Sequence, residues 1–196
     1  MAPDMDQPAE FFSSLASRPR PAAGDLLEAA DGHPERERAR DLLAARQPAE
    51  LTAAELRDIV CGNLALLKPG AFLYFLPAIL TAILVDYPAL TIIASELLGE
   101  LTPPTIGEVE AAYDRLLQNS RASGVGLSDE TIAALRSRAL ELFDSGVPTR
   151  RFAERFNGIS GMETRAILAF LCRFRNLYGA DFPDGAVDKA IAYWAR

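Results

Sequence analysis

The chain has 196 residues, 49% of them hydrophobic and 24% charged, and its formal net charge is −7. Such a composition supports a packed core and excludes wholesale disorder. The acidic balance disfavours general binding to nucleic-acid backbones, because that binding needs clustered Lys and Arg. No secretory signal is visible in the first residues, MAPDMDQPAE, which lack a basic and an apolar region, so we expect a cytoplasmic protein.

The first fifty residues differ from the rest of the chain. They hold six of the 13 prolines and show little apolar periodicity, which is typical of an extended connector. We therefore predict that residues 1–50 form a proline-rich, loosely structured N-terminal arm with short helices, one of which begins at Pro34. Residues 51–196 are predicted to form a single helical domain.

Clear helix signals begin at Leu51. Thr52 and Glu55 have the spacing of a capping box, in which each residue satisfies a backbone N–H of the other. Apolar residues then recur on one helical face as far as Leu67. These patterns predict a helix that continues to about Lys68, since the residue before a proline is pushed out of the helical region.

The next segment, Pro69–Val85, carries no charge and includes the stretch FLYFLPAIL, residues 72–80. An interior proline removes one backbone hydrogen bond, so we expect a kink or two short helices at Pro77. At 17 residues, interrupted by Gly70 and Pro77, the segment is a poor membrane span. It is predicted to be buried in a protein core, with a membrane or an apolar partner surface as the weaker alternatives.

Further amphipathic segments follow, separated by glycine and proline. They predict helices over residues 88–101, after Thr105, after Ser128, from Thr149 to Phe156, after Ser160 and over residues 185–194. No segment alternates as a β-strand does. The fold is therefore predicted to be all-α, an irregular orthogonal bundle of about six to eight helices.

Two segments resemble the motifs of an uncharacterised bacterial family. The first is LKPGAFLYFLPAIL, residues 67–80, which fits the family pattern Pro-x-Ala-Phe-x-x-Tyr/Phe-Leu-Pro-Ala. The second is AILAFL, residues 166–171, followed by AYW, residues 192–194, which is similar to the C-terminal region of the family. The resemblance covers roughly residues 51–195. It implies an all-helical fold and supplies no catalytic residue.

The sequence offers little material for catalysis or metal binding. His33 is the single histidine, and Cys61 and Cys172 lie too far apart for a Cys-x-x-Cys site, so both are expected to be free thiols in apolar surroundings. No glycine-rich phosphate loop occurs. We therefore predict no catalytic residue, no metal and no cofactor.

Aromatic and arginine side chains are the candidates for contacting a partner, because Tyr, Trp and Arg often anchor interfaces. Arginines interleave with aromatic residues in the segment 150–175, and other aromatic residues lie beside Pro77 and near the C-terminus. Core packing is the alternative for the aromatic ones. The predicted partner-binding residues are Tyr74, Phe75, Arg173, Arg175, Tyr193 and Trp194.

These observations favour binding over catalysis. Residues 1–135 carry twenty acidic and ten basic side chains, which suits a protein partner with a basic surface. The leading hypothesis is a non-catalytic cytoplasmic protein-interaction domain, for example an immunity factor that occludes a toxin or defence-system component, with no membrane association. Two alternatives stay open: a small-molecule-binding or enzymatic protein with a pocket near Pro77 and the C-terminal helix, and RNA binding through segment 150–175, which the net charge disfavours.

Overall fold

The computed structural model describes residues 18–28, 32–123 and 126–196. Within these ranges the fold is all-α, as predicted, with eight helices of nine residues or more. The extended segments in the same ranges form one isolated antiparallel bridge, between Leu27 and Leu67. The helices are α1 (Pro34–Ala45), α2 (Pro69–Val85), α3 (Thr91–Glu100), α4 (Ile106–Ser123), α5 (Asp129–Asp144), α6 (Val147–Arg155), α7 (Gly161–Tyr178) and α8 (Ala186–Trp194).

The chain divides into two compact units. Unit 1 comprises the described residues up to Thr102 together with Arg155–Arg196, and Unit 2 comprises those of Pro103–Glu154. Helices α1, α2, α3, α7 and α8 belong to Unit 1, whereas α4 and α5 belong to Unit 2. Helix α6 lies in Unit 2 except for its last residue, Arg155.

Helix α2 lies in the core of Unit 1. Eight of the nine side chains of FLYFLPAIL are buried, and the ring of Phe72 meets that of Phe156 edge-on, with centroids 5.8 Å apart. Burial of one Leu or Phe side chain is worth about 1.5–3 kcal/mol. The prediction that this stretch enters the protein core is therefore confirmed. No helix among the described residues is long and apolar enough to cross a membrane.

Helix α2 runs unbroken through Pro77, so the predicted division into two short helices is wrong. A proline inside a helix costs about 3 kcal/mol relative to alanine. Ten side chains of α2 are buried, Pro77 among them, and their combined transfer free energy exceeds that cost. The carbonyl of Pro77 also accepts a hydrogen bond from Thr81 Oγ1 at 2.8 Å.

The helix predicted to reach Lys68 ends much earlier. The capping box of Thr52 and Glu55 is present as predicted, but the turn Ala53–Glu55 continues as a π-helix, Leu56–Val60, which ends there, and a separate 3-10 turn, Leu64–Leu66, follows. Gly62 follows with φ of 79°, a left-handed conformation that glycine adopts without strain. Four of the five apolar positions of the predicted stripe are still buried, namely Leu56, Val60, Leu64 and Leu67, and the side chain of the fifth, Ile59, lies outside the described part of the structure.

Part of the predicted N-terminal arm packs in Unit 1. Leu26 and Leu27 are buried, and the backbone N–H of Lys68 donates to the carbonyl of Leu26 at 3.0 Å. Arg18 donates from Nε and Nη2 to the carboxylate of Glu163, at 2.5 and 2.9 Å. The segment 18–28 is therefore attached at both of its ends, whereas the part of the arm before Arg18 lies outside the described residues.

Candidate protein-interaction surface

Unit 2 contains a helical hairpin with almost no buried core. Helices α4 and α5 pack against each other, and the connection between them spans residues 124–128, so they run antiparallel. Ile132 is the one side chain that is buried among those described in the two helices. Hydrophobic side chains that a larger domain would cover therefore remain at the surface of this hairpin.

Ion pairs lie along one side of the hairpin. Arg136 of α5 reaches Asp114 at 3.4 Å and Glu110 at 3.5 Å on α4. Nearer the connection, Arg121 donates to Asp129 at 2.5 Å, and this hydrogen bond lowers the pKa of the Asp129 carboxyl. Exposed pairs of this kind stabilise little, but they fix which side of each helix faces the other.

Three exposed leucines lie on the opposite side of the hairpin. Leu116 of α4 is 37% exposed, and Leu135 and Leu142 of α5 are 37% and 54% exposed. Successive helix residues are about 100° apart, which places each leucine about 100° or more from the ion-paired residues of its own helix. On both helices the leucines are rotated away from the ion-paired residues in the same sense along the sequence. Because the two helices run antiparallel, this rotation brings the leucines of both helices to the same side of the hairpin. We call this surface the leucine face.

The leucine face has the spacing of a helix-bundle seam. On α5 one stripe consists of Ile132, Leu135, Ala139 and Leu142, separated alternately by three and four residues. On α4 the corresponding stripe consists of Val109, Tyr113 and Leu116, separated by four and three residues. This alternation is typical of helices that pack at a shallow angle against a neighbouring helix. In the hairpin, Ile132 of this seam is buried, whereas its three leucines are exposed.

Unit 2 is also where exposed apolar side chains concentrate. Among the residues that the structure describes, ten large hydrophobic side chains are exposed, and six of the ten belong to Unit 2. The six are Ile106, Leu116, Leu127, Leu135, Leu142 and Val147. Exposed apolar patches are characteristic of interaction sites, and three of the six side chains, Leu116, Leu135 and Leu142, belong to the leucine face.

Unit 1 contains a buried arginine that is fully engaged inside the protein. Arg155 is 3% exposed, pairs with the carboxylate of Glu100, and donates from Nη2 to the carbonyl oxygens of Ala65 at 2.8 Å and Leu67 at 3.3 Å. Its guanidinium also lies 4.7 Å from the centroid of the Phe72 ring. A buried charge with this many partners anchors a fold, and we assign Arg155 a structural role.

Three of the predicted partner-binding residues belong to the core. Tyr74, Phe75 and Trp194 are buried. The hydroxyl of Tyr74 donates to Oε1 of Gln47 at 2.5 Å, and the indole N–H of Trp194 donates to the carbonyl of Leu101 at 2.7 Å. Of the two predicted roles, core packing and partner binding, these three aromatic residues have the first.

The other predicted residues remain partly accessible. Arg173 and Tyr193 are half-buried, and Arg175 is exposed and donates to Asp188 at 3.3 Å. The arginines of segment 150–175 do not form one exposed series, because Arg155 is buried.

The thiols are free, as predicted, and both are half-buried. Burial and the neighbouring Glu96 raise the pKa of the Cys61 thiol, which keeps it in the less reactive protonated form. The part of the chain that the structure describes contains no group of His, Cys, Asp and Glu side chains arranged to hold a metal ion.

Comparisons of the chain with known protein families, with curated proteins and with solved structures gave no match. The resemblance carried by residues 67–80 thus stays a prediction. Sequence reasoning predicted amphipathic helices after Thr105 and after Ser128 but did not identify the leucine face. The signal was the alternating spacing in the two helices.

Proposed function

We propose that the protein is non-catalytic and binds another polypeptide through the leucine face. The observation that carries the proposal is the exposure of Leu116, Leu135 and Leu142 on one side of a hairpin in which one of the described side chains is buried. Two amphipathic helices bury only part of their apolar surface against each other, and a further layer of structure usually covers the rest. A partner helix or helix pair supplies such a layer.

The three leucines supply part of the energy that association needs. Full burial of a leucine side chain is worth about 2 kcal/mol, so covering the exposed portions of three leucines contributes about 3 kcal/mol. The contacts around them add to this value, and the cost of immobilising the two molecules subtracts from it. The leucines are therefore expected to dominate the binding, as central apolar residues do in most interfaces.

The remaining functional expectations form part of the same proposal. We place the protein in the cytoplasm and expect its acidic side chains to favour basic proteins at long range. A toxin or defence-system component stays a prediction from charge alone. RNA binding loses one of its candidate contacts because Arg155 is buried, and the pocket hypothesis loses the indole N–H of Trp194, which donates to Leu101.

The test compares two lysine pairs on helix α5. The variant Leu135→Lys/Leu142→Lys places charges on the leucine face, and the control Ala133→Lys/Ser137→Lys adds the same charge at exposed positions on the outer side of the helix. Each protein is expressed in its host, crosslinked and purified. We expect the leucine variant to lose the polypeptide that the native chain and the control retain. Equal recovery by all three proteins would contradict the proposal.

A further inference from the structure

We propose that the polypeptide bound by the leucine face is a second copy of this chain. The leucine faces of two hairpins pack against each other and form an antiparallel four-helix bundle about a twofold axis. This inference rests on the proposed function and names its partner. Three properties of the face favour a second copy as the partner: its spacing, its area and its low charge.

The spacing of the seam matches what a helix bundle requires. Residues alternating by three and four along α5, from Ile132 to Leu142, form a stripe that stays aligned with a neighbouring helix crossed at a shallow angle. Helix α4 carries the same alternation from Val109 to Leu116. Two hairpins placed face to face satisfy both seams at once, because each hairpin supplies two helices of matching length and spacing.

The side of the hairpin that carries the leucine face has the area that a small dimer interface needs. Helices of 18 and 16 residues are about 27 and 24 Å long. Two such helices side by side are roughly 20 Å wide, so contact along their full length covers about 500 Å² of each copy. The two copies together then bury about 1,000 Å², which is the lower limit for a specific interface.

The charge distribution favours a copy of the same face over a strongly charged partner. The residues along its outer edge are Ala112 and Asn119 on α4 and Thr131 and Arg138 on α5, so Arg138 is the single charged residue among these four. The acidic side chains Glu110, Asp114 and Asp129 are paired on the other side of the hairpin. An apolar face with this little charge is matched by another of the same kind, since Arg138 lies at the outer edge and its long side chain keeps the guanidinium in water.

Sedimentation equilibrium of the full chain tests the inference. We expect a mass twice the 21.3 kDa of one chain at high concentration, with reversible dissociation on dilution. The Leu135→Lys/Leu142→Lys variant is expected to dimerise at least about tenfold more weakly, which corresponds to about 1.4 kcal/mol. The Ala133→Lys/Ser137→Lys control should dimerise like the native protein. Circular dichroism establishes that each variant is folded.

A second variant, Leu116→Lys on α4, is expected to weaken dimerisation as well. Because it leaves α5 unchanged, its effect cannot result from misfolding of α5. A native chain that stays monomeric at all concentrations overturns the self-association. If such a monomer still captures a different protein through the leucines, the proposed function stands and only the identity of the partner is wrong. A dimer that none of the leucine variants weakens overturns the inference, and equal recovery of host proteins by those variants would overturn the proposed function too.

Discussion

At the scale of single residues, Arg155 shows how context decides the role of a side chain. The arginines of segment 150–175 interleave with aromatic residues, and the sequence analysis treated them as one series of candidate partner contacts. Burial of Arg155 depends on Glu100 and on the carbonyl groups of Ala65 and Leu67, which come from two distant segments. No local pattern specifies that convergence, so it could not be predicted from the sequence.

Replacing Arg155 by methionine should destabilise the fold strongly. The variant keeps most of the side-chain volume but leaves the Glu100 carboxylate and two carbonyl groups without their donor. Breaking one partner of a buried ion pair costs about 3–5 kcal/mol, and the partial exposure of Glu100 places the loss near the lower value. Urea unfolding measures the change. Arg165→Met, at an exposed position of α7, is the control, and equal losses in the two variants would contradict the role of Arg155.

Tyr87 should titrate at unusually high pH. Its ring stacks on Tyr178 with centroids 4.0 Å apart, and burial, together with a hydrogen bond to Asp181, raises its pKa to about 12. The folded state therefore retains the phenolic proton between the unfolded pKa of about 10 and that value, and stability falls as the pH rises through this window. Tyr87→Phe should remove this part of the loss of stability at alkaline pH. Identical pH dependence of unfolding in the two proteins would refute the assignment.

At the scale of elements, helix starts were predicted better than helix ends. The capping boxes at Thr52 and Ser160 and the cap at Ser128 are all present, because a cap depends on residues three positions apart. Ends depend on tertiary packing. The apolar stripe after Leu56 continues through Gly62 in a π-helix and a turn, and burial holds α2 together across Pro77.

The leucine face was missed for a related physical reason. Periodicity in the sequence identifies an apolar side of a helix, but it does not show whether the protein has enough neighbouring structure to cover that side. Helix α7 has the same kind of stripe as α5, and its residues Ile167, Leu171 and Phe174 are buried. The difference between the two helices lies in the number of elements around them.

The ion pair between Arg18 and Glu163 should make attachment of the N-terminal segment sensitive to acid. Burial alone would raise the pKa of Glu163, but hydrogen bonds from Arg18 and Ser160 outweigh it, and the pKa lies below its usual value. The carboxylate therefore stabilises the folded state above the unfolded pKa of about 4.3, and this contribution is lost as the pH falls through the lower folded pKa.

We expect Glu163→Gln to lower the free energy of unfolding by about 1.5 kcal/mol at neutral pH, because a hydrogen-bonded charge is lost. The difference from the native protein should shrink below about pH 4. Chemical unfolding at several pH values measures both effects. Glu154→Gln, at an exposed position of α6, is the control and should change stability little at any pH. A constant difference between native and Glu163→Gln proteins would show that the charge is not responsible.

At the scale of the whole molecule, the two units differ in how they are stabilised. Unit 1 has a core built on α2, α7 and α8, with buried residues from each helix. Unit 2 has a hairpin closed by exposed ion pairs, and Ile132 is the one buried side chain among the residues of the hairpin that the structure describes. The all-α class was predictable from periodicity and caps, whereas this division depends on contacts between distant segments.

Hydrogen exchange along the full chain, measured at low and high protein concentration, tests the central claim most directly. The leucine face is expected to be covered by a second copy at high concentration, so backbone amides of α4 and α5 should gain at least about tenfold protection while those of α2 and α7 do not change. Exchange in α4 and α5 that is the same at both concentrations, or protection confined to Unit 1, would contradict the claim that this hairpin is the binding surface.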